Sequence, residues 1–261
     1  MSPSVVESRT DAVLEIRLAR PERLNALDVP TFRELRQALQ RAALDPTVRC
    51  VVLTGEGRAF SAGGDVATME EFRAKGELPR LFHELTGEQE LSVREIVGMR
   101  KPVLASLPGV AAGGGLSLAL AADWRIGSEA AVLVPAFPAL GAVPDGGLTY
   151  FLPHFLGLGL AQEVLFTNAR IAAPRARELG LLHEVVPSEQ LAARTAERAE
   201  ELARGPTFAY GWMKQLLNAA FTGSLETQMM LERRGAVEAA RGAELPEGIR
   251  AFREKRPAKF P

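Results

Sequence analysis

An α/β fold is predicted for this chain of 261 residues, and two observations support it. The segment 13–18 alternates like a half-buried strand, 31–44 has helical spacing of its apolar residues, and 49–53 is apolar throughout, as in a strand buried on both faces. This succession of strand, helix and strand is typical of α/β proteins. In addition, glycine-rich sequences twice follow a short strand and precede a helix, at 60–66 and 109–115.

The first part of the chain begins with a predicted hairpin, in which Val5-Val6 pairs with the strand 13–18. The loop 20–27 follows, with a basic residue at each end of a proline turn. The helix 31–44 is then expected to stop at Asp45-Pro46, because proline cannot continue it.

The middle of the chain is less regular. Residues 70–100 are polar and are expected to form a loop followed by a long helix. After the short strand 124–127, the segment 132–141 is apolar but broken by prolines, so it is predicted to be a pocket wall or loop rather than a regular element.

From residue 150 onward the chain is predicted to be mainly helical, with one strand at 181–186. The change to nearly continuous helix near residue 200 indicates an appended region, so we divide the chain into a core, 1–199, and a helical C-terminal region, 200–261. The expected helices are 160–166, 173–179, 191–203, 207–221 and 225–240.

Composition and charge exclude several classes of protein. A hydrophobic fraction of 47% supplies ample core, and a net charge of −1 without a basic block gives no electrostatic basis for binding nucleic acid. The single cysteine, Cys50, lies in an apolar strand and is expected to be buried and inert. The three histidines are His83, His154 and His183; no two have the spacing of a helical ligand pair, and no metal site is predicted.

The cellular location is predicted from the absence of targeting features. The first residues carry Glu7, Arg9 and Asp11 and no apolar signal core, and no run approaches the ~20 apolar residues of a membrane span. A soluble, cytoplasmic protein without a membrane partner is therefore expected.

The two glycine-rich strand exits permit one kind of chemistry. Glycine lets a substrate approach the backbone, and the first amides of a helix are unpaired donors at its positive end. Two such amides directed at one oxygen stabilise an enolate or a tetrahedral oxyanion. The alternative is that the glycines only let the helix 116–122 pack tightly on a sheet. The dinucleotide, P-loop and nucleophile-elbow patterns are all absent.

Four motifs in order resemble the crotonase family, which includes enoyl-CoA hydratases and isomerases, and the similarity extends to 248–257. The motifs are 20–27 (RPERLNAL), 59–65 (AFSAGGD), 113–115 (GGG) and 143–147 (VPDGG). The resemblance implies a spiral of repeated ββα units, with the helical C-terminal region serving trimerisation. Homotrimers or homohexamers are therefore expected.

The resemblance also implies functions for individual residues. The amides of Gly64 and Gly114 would hold the carbonyl oxygen of an acyl-CoA thioester, and no cofactor is expected beyond the coenzyme A of that substrate. The residues assigned to substrate binding by the resemblance are Arg23, Leu24, Ala26, Ala62, Phe137, Phe252 and Lys255. Of these, Phe252 and Lys255 would complete the CoA site of a neighbouring subunit.

Departures from the family pattern decide which reaction is expected. Hydratases of the family use two glutamates, and Ser117 and Phe137 stand in their places. Asp145 stands where isomerases of the family carry their acidic residue. A single carboxylate can remove a proton beside the polarised thioester and return it elsewhere, and burial would raise its pKa toward a useful range. An acyl-CoA isomerase with Asp145 as acid and base is therefore predicted.

Other functions remain open. Asp145 could serve a hydratase with an ordered water, or a thioester hydrolase or dehalogenase; it could equally be a turn residue, and the protein a non-catalytic acyl-CoA-binding subunit. Glu90 is a second candidate acid, although a solvated helix-face charge is favoured. The acyl pocket is expected to lie between 66–99 and 132–137, where Phe82 and Phe137 hint at an apolar or aromatic acyl group.

Overall fold

The computed structural model describes residues 3–261. Ten strands alternate with helices in this part of the chain: β1 (Val5–Thr10), β2 (Val13–Leu18), β3 (Cys50–Gly55), β4 (Ala59–Ser61), β5 (Val103–Leu107), β6 (Val110–Ala112), β7 (Trp124–Ser128), β8 (Val132–Val134), β9 (Ile171–Ala172) and β10 (Glu184–Val186).

Eleven α-helices occur within residues 3–261: α1 (Val29–Leu44), α2 (Val66–Ala74), α3 (Leu78–Gly98), α4 (Gly114–Ala121), α5 (Leu148–Leu156), α6 (Leu158–Phe166), α7 (Ala173–Glu178), α8 (Leu191–Arg204), α9 (Thr207–Ala219), α10 (Leu225–Arg241) and α11 (Glu244–Glu254).

The strands form two sheets. The larger sheet has the order β1-β2-β3-β5-β7-β10 and the smaller sheet has the order β4-β6-β8-β9. Pairing is parallel except for the β1–β2 hairpin and the β8–β9 pair. The hairpin of Val5-Val6 with β2 is confirmed, since Val5 lies opposite Leu18.

The chain repeats one unit three times. A strand of the larger sheet is followed by a strand of the smaller sheet and then by helix: β3 and β4 lead to α2, β5 and β6 lead to α4, and β7 and β8 lead to α5. The expected spiral of ββα units is therefore confirmed. Because the small-sheet strands of successive units pair in parallel, the segments that leave β4 and β6 emerge at the same edge of the small sheet.

One sequence expectation, for 132–141, was wrong only at the start of its segment, and others needed adjustment. The segment 132–141 contains a regular strand, β8, because β6 and β9 supply backbone partners on its two sides; only its continuation at Pro138–Leu140 is a 3₁₀ turn. Residues 70–100 hold two helices, α2 and α3, separated by a short break. The strand expected over 181–186 is confined to β10.

Helix α8 covers the larger sheet and α9 begins the C-terminal helices. Cys50 on β3 is buried in a cluster that includes Leu104 and Ala199, and this burial raises the pKa of its thiol to about 12. The thiol is therefore protonated and unreactive at neutral pH. The boundary placed after residue 199 in the sequence analysis lies within α8.

A partly buried ion pair fastens the C-terminal helices to the core. The Nζ of Lys214, on α9, lies 2.8 Å from Oδ2 of Asp123, which precedes β7. Nζ also donates to the main-chain oxygen of Ile96 at the end of α3. No helix within residues 3–261 combines the length and the apolar character needed to cross a membrane.

Candidate active site

The first glycine exit is the segment after β4 that contains Gly63 and Gly64. Leu27 pairs in parallel with Gly64: the N–H of Leu27 donates to Gly63 O at 2.8 Å, and the oxygen of Leu27 accepts from Asp65 N at 2.9 Å. The groups on either side of Gly64 are thus bonded to Leu27, and the amide of Gly64 faces away from it. Within residues 3–261 this amide has no hydrogen-bond acceptor.

The second exit leaves β6 and enters α4. Gly113 has a φ of +51° and donates to Val134 O on β8, and Gly114 is the first residue of the helix. The N–H of a first helical residue has no partner in the preceding turn. Gly115 serves a different purpose, since a Cβ there would lie 2.6 Å from Cβ of Ser61 on β4. Tight packing and a free amide are therefore both present, at neighbouring glycines.

The two exits meet. A Cβ on Gly63, where φ is +87°, would lie 2.8 Å from the Ala112 oxygen and 3.4 Å from Cα of Gly113. Gly64 and Gly114 line the same cavity of about 260 Å³. Its walls are mostly apolar, and their larger side chains are Phe32, Met69, Phe82, Leu85, Phe137 and Leu140.

Asp145 lies on the same cavity, in the loop before α5, and is the one ionisable side chain among its described lining residues. Burial raises the pKa of the Asp145 carboxyl, and a hydrogen bond from Gln89 opposes this rise. The bond runs from Nε2 of Gln89 to Oδ1 of Asp145 at 2.8 Å. Among the described residues, the site thus combines two amides that face no acceptor with one half-buried carboxyl whose pKa is raised.

The two positions that the family resemblance assigns to hydratase glutamates, 117 and 137, hold residues with other contacts here. Ser117, fully buried on α4, donates from Oγ to the main-chain oxygen of Asp145 at 2.9 Å. Phe137 is 8% exposed and forms part of the cavity wall. Ser117 therefore holds the loop that carries Asp145, and Phe137 adds an apolar side chain to the cavity wall.

Comparison with known proteins agrees with this geometry. Residues 8–261 match the model of the enoyl-CoA hydratase/isomerase family. The chain belongs to this family.

Several family members are similar over nearly their whole length. A protein of Escherichia coli K12 named 1,2-epoxyphenylacetyl-CoA isomerase is 38% identical, over 95% of this chain and 94% of its own. A probable enoyl-CoA hydratase of Rhodobacter capsulatus is 37% identical, over 96% and 95%. The crystal structure of an enoyl-CoA hydratase from Polaromonas has a TM-score of 0.93 and 32% identity, over 98% of this chain and 99% of that one.

The loop 20–27, which carries the first family motif, packs against the first glycine exit. The main-chain oxygen of Leu24 accepts from Ala62 N at 2.9 Å, and Arg20 donates to the oxygen of Ala26. Arg23, half exposed, lies 2.9 Å from Oδ2 of Asp65. The structure therefore brings Arg23, Leu24 and Ala26 beside Gly64, and Ala62 onto the cavity wall itself.

Asp65 organises this neighbourhood in a way that the sequence motif alone does not reveal. Its Oδ2 accepts from both Arg20 and Arg23, while Oδ1 accepts from the first amides of α2. These bonds lower the pKa of Asp65 against the opposing effect of burial. Its carboxylate therefore caps α2 and fixes the loop next to Gly64.

Three other candidate residues lie away from the cavity of this chain. Phe252 is 85% exposed near the end of α11, and Lys255, with φ of +53°, follows that helix. Neither side chain lines the cavity. Glu90 faces solvent on α3 and pairs with Arg94, as expected for a solvated charge.

Sequence reasoning missed Gln89, which contacts the carboxyl of Asp145. The signal was present: Gln89 falls in a helical row with Leu81, Leu85 and Val93, all buried in α3. A polar amide within such an apolar row must find a buried partner. That partner could not be named from the sequence, because Asp145 lies 56 residues further along the chain.

Proposed function

We propose that this protein is an acyl-CoA isomerase, which moves a double bond or rearranges the acyl group of a CoA thioester through an enolate. The observation that carries the proposal is the single carboxyl, Asp145, on a cavity also lined by Gly64 and Gly114. The identity of 38% to a protein named 1,2-epoxyphenylacetyl-CoA isomerase supports it further.

The amides of Gly64 and Gly114 would bind the thioester oxygen. Ionised Asp145 removes a proton from the carbon next to the carbonyl, and the electron pair of that C–H bond moves toward the oxygen to give an enolate. The two amides stabilise the new negative charge, and removal of one such donor typically costs ~10²–10³ in rate. The protonated carboxyl then returns the proton at another carbon, so that no atom is gained or lost.

The surroundings of Asp145 suit this exchange. Burial raises the pKa of its carboxyl, which makes it a stronger base than an ordinary aspartate once ionised. The mostly apolar walls keep competing water away from the enolate. They also favour an apolar or aromatic acyl group, which Phe82 and Phe137 would contact.

The CoA part of the substrate would lie along the loop of Arg23, Leu24 and Ala26, which packs beside Gly64. Phe252 and Lys255 are exposed and do not line the cavity of their own chain. They are therefore available to a neighbouring subunit, and we include them in the proposed site on that basis.

The test is a panel of acyl-CoA thioesters in which isomer, 3-hydroxyacyl-CoA and free CoA are measured together. The wild-type protein should form isomer, and Asp145→Asn should lower that rate by about 10²–10⁴ while still binding the thioester. Glu90→Gln, which changes an exposed carboxylate on α3, is the matched control and should leave the rate unchanged.

Each other product identifies another function. Formation of 3-hydroxyacyl-CoA from a 2-enoyl-CoA would identify a hydratase that acts through Asp145 and water, and free CoA or halide would identify a hydrolase or dehalogenase. Binding without turnover would identify a non-catalytic acyl-CoA-binding protein. An undiminished isomerisation rate in Asp145→Asn would remove Asp145 from the proposed mechanism.

A further inference from the structure

We infer that Gln89 is a positioning residue for the proposed isomerase: it holds one oxygen of Asp145 and thereby directs the other oxygen at the substrate. The inference rests on the proposed function, because it concerns the same proton transfer. Its basis is the geometry of one buried amide. Gln89 is 2% exposed, and its Nε2 lies 2.8 Å from Oδ1 of Asp145.

The amide of Gln89 lies between the two halves of the site. A Cβ on Gly146, the residue after the acid, would lie 1.9 Å from Nε2 of Gln89. A Cβ on Gly114 would lie 3.2 Å from Oε1 of the same amide. The Gln89 side chain thus lies between the loop that carries Asp145 and the start of α4. It fits there because Gly146 and Gly114 have no side chains.

The hydrogen bond also makes the two carboxylate oxygens of Asp145 different, because only one of them has a donor. Oδ1 of Asp145 accepts from Gln89, whereas Oδ2 has no hydrogen-bond donor within residues 3–261. A fixed Oδ1 prevents free rotation of the carboxylate about χ2, so Oδ2 keeps a constant direction. Proton transfer depends steeply on such alignment, because the reacting atoms must be held about 3–3.5 Å apart.

The effect of Gln89 on the Asp145 carboxyl does not change with pH, since an amide does not titrate in the physiological range. Its N–H stabilises the ionised carboxylate and so lowers the pKa of Asp145 against the effect of burial. Within residues 3–261, no other charge lines the cavity beside this carboxyl. On α3, Glu88 pairs with Arg33 and Arg36 of α1, and Glu90 pairs with Arg94.

No described residue of α1, α2 or α4 adds an ionisable group to the cavity lining, and neither does the 3₁₀ turn at Pro138–Leu140. On α5, His154 is exposed and its ring contacts the main-chain oxygen of Tyr150. A change in the pH profile on substitution of Gln89 therefore reports the Gln89–Asp145 contact itself.

The experiment measures exchange of the α-hydrogens of phenylacetyl-CoA and of 3-hexenoyl-CoA with D₂O, by mass spectrometry, across a range of pH. Exchange requires only removal and return of a proton at the α-carbon, so it does not depend on knowing the natural acyl group. The full-length chain is compared with Gln89→Met, which keeps the length and volume of the side chain but removes the N–H donor.

Gln89→Met should lower the plateau rate of exchange about tenfold, in line with the loss of a hydrogen bond to a charged group. The acid limb of its profile should move to higher pH, because the ionised carboxylate loses a donor. The KM for the thioester should stay within about twofold of wild type, as for an interaction that acts on the reaction rather than on binding. Arg94→Gln, on the exposed face of the same helix, is the control and should match wild type.

A role in packing alone would lower the melting temperature without moving the acid limb, and that result would overturn the inference while leaving the proposed function intact. Should Gln89→Met not fold, as judged by circular dichroism, Gln89→Glu provides the same measurement. Its carboxylate repels ionised Asp145, so an unmoved acid limb in Gln89→Glu also overturns the inference. Absence of exchange from both thioesters with wild-type protein would instead overturn the proposed proton transfer, and the role of Gln89 with it.

Discussion

Ser117 holds the loop of the proposed acid: its Oγ donates to the main-chain oxygen of Asp145 at 2.9 Å. By the family resemblance, Ser117 occupies a position where hydratases carry a catalytic glutamate. Serine at this position supplies an anchor for the Asp145 loop and no second carboxylate. Cβ of Ser117 also lies 2.9 Å from the place where a Cβ on Gly146 would be, which leaves little space around it.

Ser117→Glu should not create a hydratase. The new carboxylate would be buried without an ion-pair partner and would displace the Asp145 loop, so we expect the free energy of unfolding to fall by about 3 kcal/mol or more. Thermal unfolding and the thioester panel check this, with Ser117→Ala as the matched control. Ser117→Ala should cost only about 1 kcal/mol and keep isomerase activity; appearance of 3-hydroxyacyl-CoA with Ser117→Glu would contradict the expectation.

Asp145→Asn should gain stability while it loses activity. Burial holds the folded-state pKa of Asp145 above its ordinary value, so the stability that this group contributes is fully present below the unfolded-state pKa, about 3.9. That contribution is lost as the pH rises through the raised folded-state pKa. Asparagine cannot ionise, and its Oδ1 can still accept from Gln89.

We therefore expect the melting temperature of Asp145→Asn to exceed that of wild type at neutral pH and the difference to disappear at about pH 4 or below. Differential scanning calorimetry at several pH values measures it. A variant less stable than wild type at neutral pH would show that the ionised carboxyl is better solvated than its burial indicates. In the wild type, activity should fall as the pH decreases through the same raised pKa, because only the ionised form accepts a proton.

Gly63→Ala should disturb the amide of Gly64, which we propose to bind the thioester oxygen. Gly63 has a φ of +87°, and its Cβ would meet the backbone oxygen of Ala112 at 2.8 Å, so the two glycine exits must move apart. We expect a loss of about 1–3 kcal/mol in stability and a lower kcat, because the amide of Gly64 shifts with its neighbour.

The control is Gly76→Ala, at a φ of +71° with no atom within 4 Å of the added Cβ. It should show the backbone strain of about 1 kcal/mol without a change in kcat. Equal kcat for Gly63→Ala and wild type would mean that the exits tolerate separation, and that the Gly64 amide is not essential.

Assembly should depend on the apolar surface of α9 and α10. Met213 and Leu217 on α9, Phe221 in the turn after α9 and Met230 on α10 are each more than half exposed, which is typical of an interface. We expect sedimentation to show a homotrimer or homohexamer. Leu217→Arg should dissociate this assembly. If Phe252 and Lys255 serve a neighbouring subunit, dissociation should also raise the KM for CoA esters. Leu44→Arg, at an apolar residue 84% exposed at the end of α1, is the control; a monomeric wild type would refute the prediction.

Much of the fold could be predicted because its signals are local. The helix α1 and the strand β3 follow from the spacing of apolar residues. Each glycine exit is marked by adjacent glycines, which are uncommon inside helices and strands. The strand β8 could not be predicted, because its three residues acquire strand geometry only from β6 and β9 on either side. Short strands of this kind depend on partners distant in sequence.

The amino-acid sequence by itself determined the family, the alternation of strands and helices, and the residue types available for chemistry: two glycine-rich exits, a lone aspartate and no glutamate at positions 117 and 137. Only the tertiary structure decided how these residues act together. Gln89 and Ser117 reach Asp145 from helices 56 and 28 residues away in the chain. Which buried donor meets which acceptor is settled by packing in three dimensions, and neither composition nor local periodicity carries that information.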